Sequence, residues 1–195
     1  MSVKKPENRP WKIVKSRVIQ QNLPWLNLRQ ETVELPNGRQ IPTWYIYDFP
    51  DWINVIAITK DGRFVMESQY RHAIADTYYE LCGGVIDEGE TPLQAAQREL
   101  LEETGFGGGE WSYFMKLCPN PTNHSNYQHT FLAIGVEKLT DTHQEATEDI
   151  DTYLFTREEV MEILEKGWVM QALHSAPLWK YMAETLPDLQ KTGEK

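Results

Sequence analysis

The sequence predicts an α+β fold: a mixed β-sheet sandwiched between helices, preceded by a small antiparallel β-subdomain. Three observations predict it. Residues 11–49 carry three strand-like runs and a hairpin signal. Beyond residue 50, strand and helix patterns alternate irregularly, which suits a mixed sheet between helices. One stretch, Gly84 to Phe106, holds a helix that is marked at both ends.

In chain order, residues 1–10 are polar and read as a tail. The runs WKIVKSRVIQ, LNLRQETVEL and IPTWYIYDF are separated by residues 22–24 and by the hairpin signal Pro36-Asn37-Gly38. Three such strands are not stable alone and must pack on the main domain or a second subunit. Pro50-Asp51 marks the boundary, so 11–49 is expected to be the β-subdomain and 50–186 the main domain, with a polar tail over 187–195. NVIAI and RFVMESQY read as strands joined at Thr59-Lys60-Asp61-Gly62; a loop with Arg71 and His72 follows, then the short strand YYELC and a glycine turn at Gly83-Gly84. After the helix, Gly107-Gly108-Gly109 reads as a flexible connection, since a phosphate cradle would precede the helix rather than follow it. WSYFMKL, QHTFLAIGV and IDTYLF are strands; 119–127 and 140–149 are polar loops. Thr156 caps a helix over 157–166 that stops at Gly167, and 170–185 is helical, with Pro177 starting a new helix or kinking one.

Composition limits the function. Hydrophobic and charged fractions of 41% and 25% are those of a globular protein. A net charge of −10 argues against a nucleic-acid polymer or an anionic membrane as partner. Cys82 and Cys118 form neither a CxxC motif nor a disulfide framework, and the N-terminus shows no apolar signal, so the expected setting is the cytoplasm.

The stretch GVIDEGETPLQAAQRELLEETGF carries the chemistry. Thr91 and Gln94 form a capping box, Pro92 takes the first helical position, and Gly105 is the left-handed stop. Leu93, Ala96, Leu100 and Thr104 share a face that docks on a core. On the adjoining arc lie Glu99, Glu102 and Glu103. Their Cβ atoms are roughly 5–6 Å apart, so two carboxylates there repel by about 3 kcal/mol at an effective dielectric near 20. They also stand at the end of the helix where the macrodipole disfavours negative charge, and no Lys or Arg follows any of them at three or four residues. A solvated acidic face is the ordinary explanation of a glutamate run. A divalent cation resolves the conflict better, and hard oxygen donors suit Mg²⁺ or Mn²⁺.

These residues resemble the Nudix hydrolase signature, G-x5-E-x7-R-E-U-x-E-E-x-G-U with U bulky and apolar, at every specified position: Gly84, Glu90, Arg98, Glu99, Leu100, Glu102, Glu103, Gly105 and Phe106. Within that family the chain is most similar to the ADP-ribose and nucleoside diphosphate-sugar pyrophosphatase group, over PWLNLR, VELPNG, QYRH, ELCGGVIDEGE and PNPTNHSNYQHTFLA. The resemblance implies the Nudix fold and Mg²⁺-dependent hydrolysis of the diphosphate of ADP-ribose or a relative, giving a nucleoside monophosphate and a sugar phosphate. It also implies a homodimer, with N-terminal β-subdomains exchanged between subunits.

The same resemblance implies roles. Glu99, Glu102, Glu103 and the carbonyl of Gly83 hold metal; Glu102 is a further ligand or orients the attacking water. Arg98 pairs with Glu90 as structural support. The general base comes from a distant acidic loop, where Glu148 aligns best and Glu145 next. Arg71 aligns with a phosphate-contacting arginine and Glu80 with a carboxylate near the substrate's terminal portion. Trp25 and Trp44 align with base-stacking tryptophans, an interface role being the alternative; Val85 and Asn120 complete the substrate-binding set.

Two features depart from the group: Glu80-Leu81-Cys82-Gly83-Gly84 lacks the usual proline, which loosens the turn and leaves Cys82 oxidisable if exposed, and Asn120-Pro121-Thr122-Asn123 replaces a Ser-Pro-Gly type of loop. The competing functions are hydrolysis of nucleoside triphosphates or dinucleoside polyphosphates, which fits the β-subdomain poorly, and a non-catalytic nucleotide-sugar sensor, which predicts erosion of box carboxylates that are all present.

Overall fold

The structure, a computed structural model, describes residues 3–23, 26–143 and 149–185. Its strands and helices fall into two compact units, Met1–Pro50 with Asn120–Asn126, and Asp51–Pro119 with Tyr127–Lys195.

The first unit is a three-stranded antiparallel sheet in the order β1 (Lys12–Asn22), β2 (Leu26–Glu34), β3 (Gln40–Tyr47). The β2–β3 connection uses Gly38 in a left-handed conformation, with its N–H donated to Leu35 O. Every residue of β1 is exposed. The segment Asn120–Asn126 belongs to this unit through Trp44 Nε1, which donates to Thr122 O at 3.0 Å, and Asn126 Nδ2, which donates to Pro50 O at 3.0 Å.

The second unit is built on an eight-stranded mixed sheet. Its spine runs β11 (Ile150–Phe155), β5 (Phe64–Arg71), β4 (Trp52–Thr59), β10 (Gln128–Lys138), β8 (Phe106–Gly107). Three further strands pair on the side: β6 (Asp76–Glu80) with β5, β7 (Cys82–Val85) with β4, and β9 (Glu110–Leu117) with β10. The β4–β10 pair is parallel. Because side chains alternate along a strand, β4 sends Ile53, Val55 and Ala57 to one face and Ile56 and Ile58 to the other. The first face is covered by α1 (Pro92–Thr104), the second by α2 (Arg157–Glu165) and α3 (Ala172–Glu184).

Both capping boxes form: Thr91 with Gln94 starts α1, Thr156 with Glu159 starts α2, and Gly105 closes α1 in the left-handed conformation. Several local expectations are corrected. Gly83 and Gly84 are strand residues rather than a turn, paired with Asn54 and Ile53. The missing proline therefore does not loosen a turn: Cys82 can pair with Val55, where a proline would have no N–H to offer. Gly107 is no flexible linker, since Phe106–Gly107 pairs antiparallel with Lys138 and Glu137. The docking face of α1 is Ala95, Ala96, Leu100, Glu103 and Thr104; Leu93 lies outside it and is exposed.

Pro177 does not start a new helix but sits inside α3. A proline cannot donate to the carbonyl four residues back. Here that carbonyl is Leu173 O, and Asn54 Nδ2 takes its place as donor at 2.8 Å.

Candidate active site

Strand β7 and helix α1 converge on one another, and their close approach is what the glycines allow. A Cβ on Gly84 would fall well inside van der Waals contact with the Glu99 carboxylate, so that carboxylate lies directly against the strand. A Cβ on Gly83 would meet Ile53 O in the same way. One turn further along α1, Glu103 is 5% exposed and accepts the Gly83 N–H at 3.2 Å. The predicted ligands Gly83, Glu99 and Glu103 are thus gathered in one place. Glu102 stands beside them with its side chain half exposed.

Two further groups enter this place. Glu67 of β5, 4% exposed, brings a carboxylate into a cluster with Cys82 and Glu103 in which the ligand atoms lie within 4.8 Å of one another. The Cys82 thiol is fully buried, which settles the question of oxidation from solvent against it. Burial pushes its pKa up, and the carboxylates of Glu103 and Glu67 push in the same direction, so it stays a neutral donor that hydrogen-bonds Glu103. Nothing in the box spacing names Glu67. Its signal is a lone acid in the run FVMES, otherwise the apolar half of a strand.

The glutamates of α1 are not without cations, contrary to the sequence reading. Arg98 lies before them rather than after. Its Nη1 is 2.9 Å from Glu99 Oε1 and 3.3 Å from Glu102 Oε2, while Nε and Nη2 donate to the two Glu90 oxygens at 2.8 and 2.9 Å. Nη2 also donates to Val85 O at 3.2 Å, so one guanidinium joins the loop, the strand and the helix. Hydrogen bonding to Arg98 holds the Glu90 carboxyl below its ordinary pKa.

Arg71 is bound from behind. Its Nε donates to Glu80 Oε1 at 2.8 Å and its Nη2 to Glu80 Oε2, a bidentate pair. Glu80 is 3% exposed and holds the arginine through both of its oxygens. That bond, chiefly, raises the pKa of Arg71, with Glu103 and Glu67 contributing through their field. The guanidinium is therefore within electrostatic reach of the carboxylate cluster, with its side chain about half exposed.

A divalent cation fits this donor set. Glu67, Glu99, Glu102 and Glu103 are hard oxygen donors. Glu67 and Glu103 are buried beside a mainly apolar core, where negative charge is costly to desolvate and a cation would offset it. The Gly84 cradle lets Glu99 approach the strand beside the Gly83 position.

Trp44 and Asn120 belong to the first unit. Trp44 packs edge-on against Trp11 with ring centroids 5.4 Å apart. The two rings, with Val33, Ile46, Pro121 and Thr122, line a recess of about 520 Å³. Asn120 Oδ1 accepts from Thr122 N, and Asn120 O from the N–H groups of Asn123 and His124, so this side chain and backbone shape the loop. Trp25, Glu145 and Glu148 lie outside the described residues. His174, which the sequence reading passed over, is buried in α3, and its Nδ1 accepts Leu81 N–H at 3.0 Å.

Comparison with known proteins adds the following. Residues 49–176 match the NUDIX domain, and residues 11–47 match the nucleoside diphosphate sugar hydrolase N-terminal domain. The chain is 29% identical over 148 residues to an ADP-ribose pyrophosphatase of Bacillus subtilis, covering 75% of this chain and 80% of that protein. It is 30% identical over 142 residues to a methanol dehydrogenase activator of Bacillus methanolicus, covering 72% and 76%. A crystal structure of an ADP compounds hydrolase superposes with a TM-score of 0.78 at 19% identity, over 93% of this chain and 98% of that one, a likeness of fold. Among the described residues no helix is long and apolar enough to cross a membrane.

Proposed function

Because the chain belongs to the Nudix family of hydrolases, which generally use divalent metal ions, we propose that it hydrolyses the diphosphate bond of a nucleoside diphosphate sugar. ADP-ribose, or a relative such as GDP-mannose, is the substrate; a nucleoside monophosphate and a sugar phosphate are the products. The observation that carries this reading is the packing of Glu99 and Glu103 against Gly83 and Gly84, with Glu67 and Arg71 alongside. The match of the N-terminal segment to a nucleoside diphosphate sugar hydrolase domain directs it to this substrate class.

Mg²⁺ is the cation, with Mn²⁺ a substitute; when bound, it neutralises the diphosphate and lowers the pKa of a water. Gly83 O, Glu99, Glu102 and Glu103 would hold it. In the reaction one P–O bond of the P–O–P bridge breaks, and the oxygen of water joins the phosphorus that loses it. Arg71 binds the diphosphate, its guanidinium oriented by Glu80. Glu102, half exposed beside the cluster, orients the water, and Glu148, with Glu145 as the alternative, accepts its proton. Arg98 fixes the β7–α1 connection by joining Val85 O, Glu90, Glu99 and Glu102. Trp44 stacks on the base, together with Trp25; the recess beside the Trp44 ring supports this.

A homodimer built through the first unit is supported by β1, an eleven-residue edge strand with exposed Ile13, Val14, Val18 and Ile19. The free thiols of Cys82 and Cys118 agree with a cytoplasmic setting.

The test is incubation with Mg²⁺ and a panel of ADP-ribose, GDP-mannose, UDP-glucose and nucleoside triphosphates, with products identified by chromatography and the protein's mass measured by light scattering. Turnover of a diphosphate sugar to a monophosphate and a sugar phosphate is expected, from a dimer. Binding without cleavage would make the protein a sensor, and cleavage of triphosphates alone would move it to another Nudix class.

A further inference from the structure

Helix α3 lies on the face of the sheet opposite α1, yet its first turn bonds both the β4 residue paired with Gly83 and the residue that leads into β7. Two consecutive residues do this. Leu173 O, left without an intrahelical donor by Pro177, accepts Asn54 Nδ2 at 2.8 Å. His174 Nδ1 accepts Leu81 N–H at 3.0 Å. Asn54 is the register partner of Gly83 across β4 and β7, and Leu81 stands two residues before it. The segment is therefore bracketed from the α3 side.

The second ring nitrogen of His174 points to the substrate side of the problem. Because Nδ1 accepts, the proton of the neutral ring is on Nε2. That nitrogen lies 4.0 Å from Glu80 Oε2. His174 is 6% exposed and Glu80 is 3% exposed, so the approach is sheltered from water. Desolvation lowers the pKa of His174 to about 4, which keeps the ring neutral near pH 7, and the Glu80 carboxylate and the Arg71 guanidinium act on it in opposite directions. The order in space is then His174, Glu80, Arg71: a buried imidazole, a buried carboxylate and a half-exposed guanidinium directed toward solvent.

We infer that His174 is a positioning residue for the diphosphate-binding arginine, setting the Glu80–Arg71 pair from the far helix layer through Leu81 N–H and the Glu80 carboxylate. The inference rests on the reading of Arg71 as the phosphate contact. Its geometric part stands separately from that reading and is tested separately. An imidazole that served only to fill the core would leave Arg71 indifferent to its replacement.

His174→Asn is the discriminating variant, since its side-chain oxygen takes the place of Nδ1 for Leu81 N–H while the ring N–H facing Glu80 is gone. The first measurement needs no substrate. The Nε–H signal of Arg71 in a ¹⁵N-correlated spectrum, assigned by its loss in Arg71→Lys, reports how firmly Glu80 holds the guanidinium. Hydrogen exchange at that site is expected to quicken about fivefold or more in His174→Asn. An unchanged exchange rate overturns the inference, whatever the substrate proves to be. The second measurement is steady-state hydrolysis of ADP-ribose with Mg²⁺. KM is expected to rise about tenfold with kcat within about twofold, as for loss of an interaction made equally in ground and transition states. In an Arg71→Ala background the same substitution is expected to add nothing to KM, because the residue it positions is absent. Additive effects in the double variant overturn the inference in favour of a plain structural role. Faster exchange at Arg71 with no ADP-ribose turnover would instead overturn the substrate reading and leave the positioning intact. Where His174→Asn lowers Tm, His174→Gln serves as the second variant: it retains a group that reaches Glu80, and restoration of the Arg71 exchange rate is expected.

Discussion

On its α1 face, the eight-stranded sheet mixes small residues, Ala57, Cys82 and Ala133, with Ile53, Val55, Val65 and Phe131 against Ala95, Ala96 and Leu100 of the helix, and the same layer takes in Glu67 and Glu103. On the other face, Ile56, Ile58, Phe64, Met66 and Leu81 meet Val160, Ile163, Leu164, Leu178 and Met182, with Asn54 and His174 the polar members named above. Small residues bring backbones close, and only a close helix lets Glu99 lie against Gly84 and Glu103 reach Gly83 N–H. Large residues bury more apolar area, at about 25 cal/mol per Å². Both faces thus bury a core, but only the α1 face adds the small residues and the short reach that the chemistry needs.

The largest effects should come from substitutions that keep to one face. Glu103→Gln preserves shape and retains an oxygen for Gly83 N–H, but removes the charge that a cation needs. Metal-dependent turnover should fall roughly a thousandfold or more, while Tm holds or rises because a buried charge has been removed. Leu178→Ala on the opposite face, at a fully buried position, should do the reverse. Stability should drop by about 2–5 kcal/mol in urea titration, with KM and kcat unchanged at a temperature where the variant is folded. If Glu103→Gln unfolds the protein, or Leu178→Ala impairs turnover of folded enzyme, the division between the faces is wrong.

That division was only half visible in the sequence. The box helix was legible because its caps and carboxylates lie within one local stretch, where spacing alone sets geometry: Thr91, Gln94, Pro92 and Gly105 all act as their positions imply. Strands were legible from apolar runs, but their partners were not, since pairing is non-local. Gly83-Gly84 looked like a turn because glycines commonly mark turns; as β7 partners of Asn54 and Ile53 they instead provide space for Glu99. Leu93 was assigned to the core by periodicity, whereas the face of α1 that meets the sheet buries Ala95 and the charged Glu103 instead. The Arg98–Glu90 pair was legible, but the contacts of Arg98 with Glu99 and Glu102 were not, because a cation was expected only after each glutamate and Arg98 precedes both. Glu67 and His174 needed the fold itself: one is 36 residues from Glu103 in sequence, the other 93 from Leu81, and neither sits in a motif.

A smaller effect tests whether the α3 face is chemically silent apart from His174. The pKa of its ring is lowered by burial to about 4, from the ordinary histidine value of 6.5. A folded-state value below the unfolded one means that the unfolded chain takes up the proton first as the pH falls. The neutral ring's contribution is therefore fully present above about pH 6.5, declines through the interval below, and is exhausted near about pH 4. Across the whole window this amounts to roughly 3 kcal/mol, of which roughly 2 kcal/mol falls between about pH 7 and pH 5. The charged groups that act on the ring are Glu80 from β6, which favours protonation, and Arg71 from β5, which opposes it. Urea midpoints measured at those two pH values should show the wild type losing roughly 2 kcal/mol more than His174→Asn, which has no proton to take up. Equal losses in the two proteins would mean that the ring ionises in the fold without penalty, and the α3 face would then be as tolerant of charge at this position as the α1 face is by design.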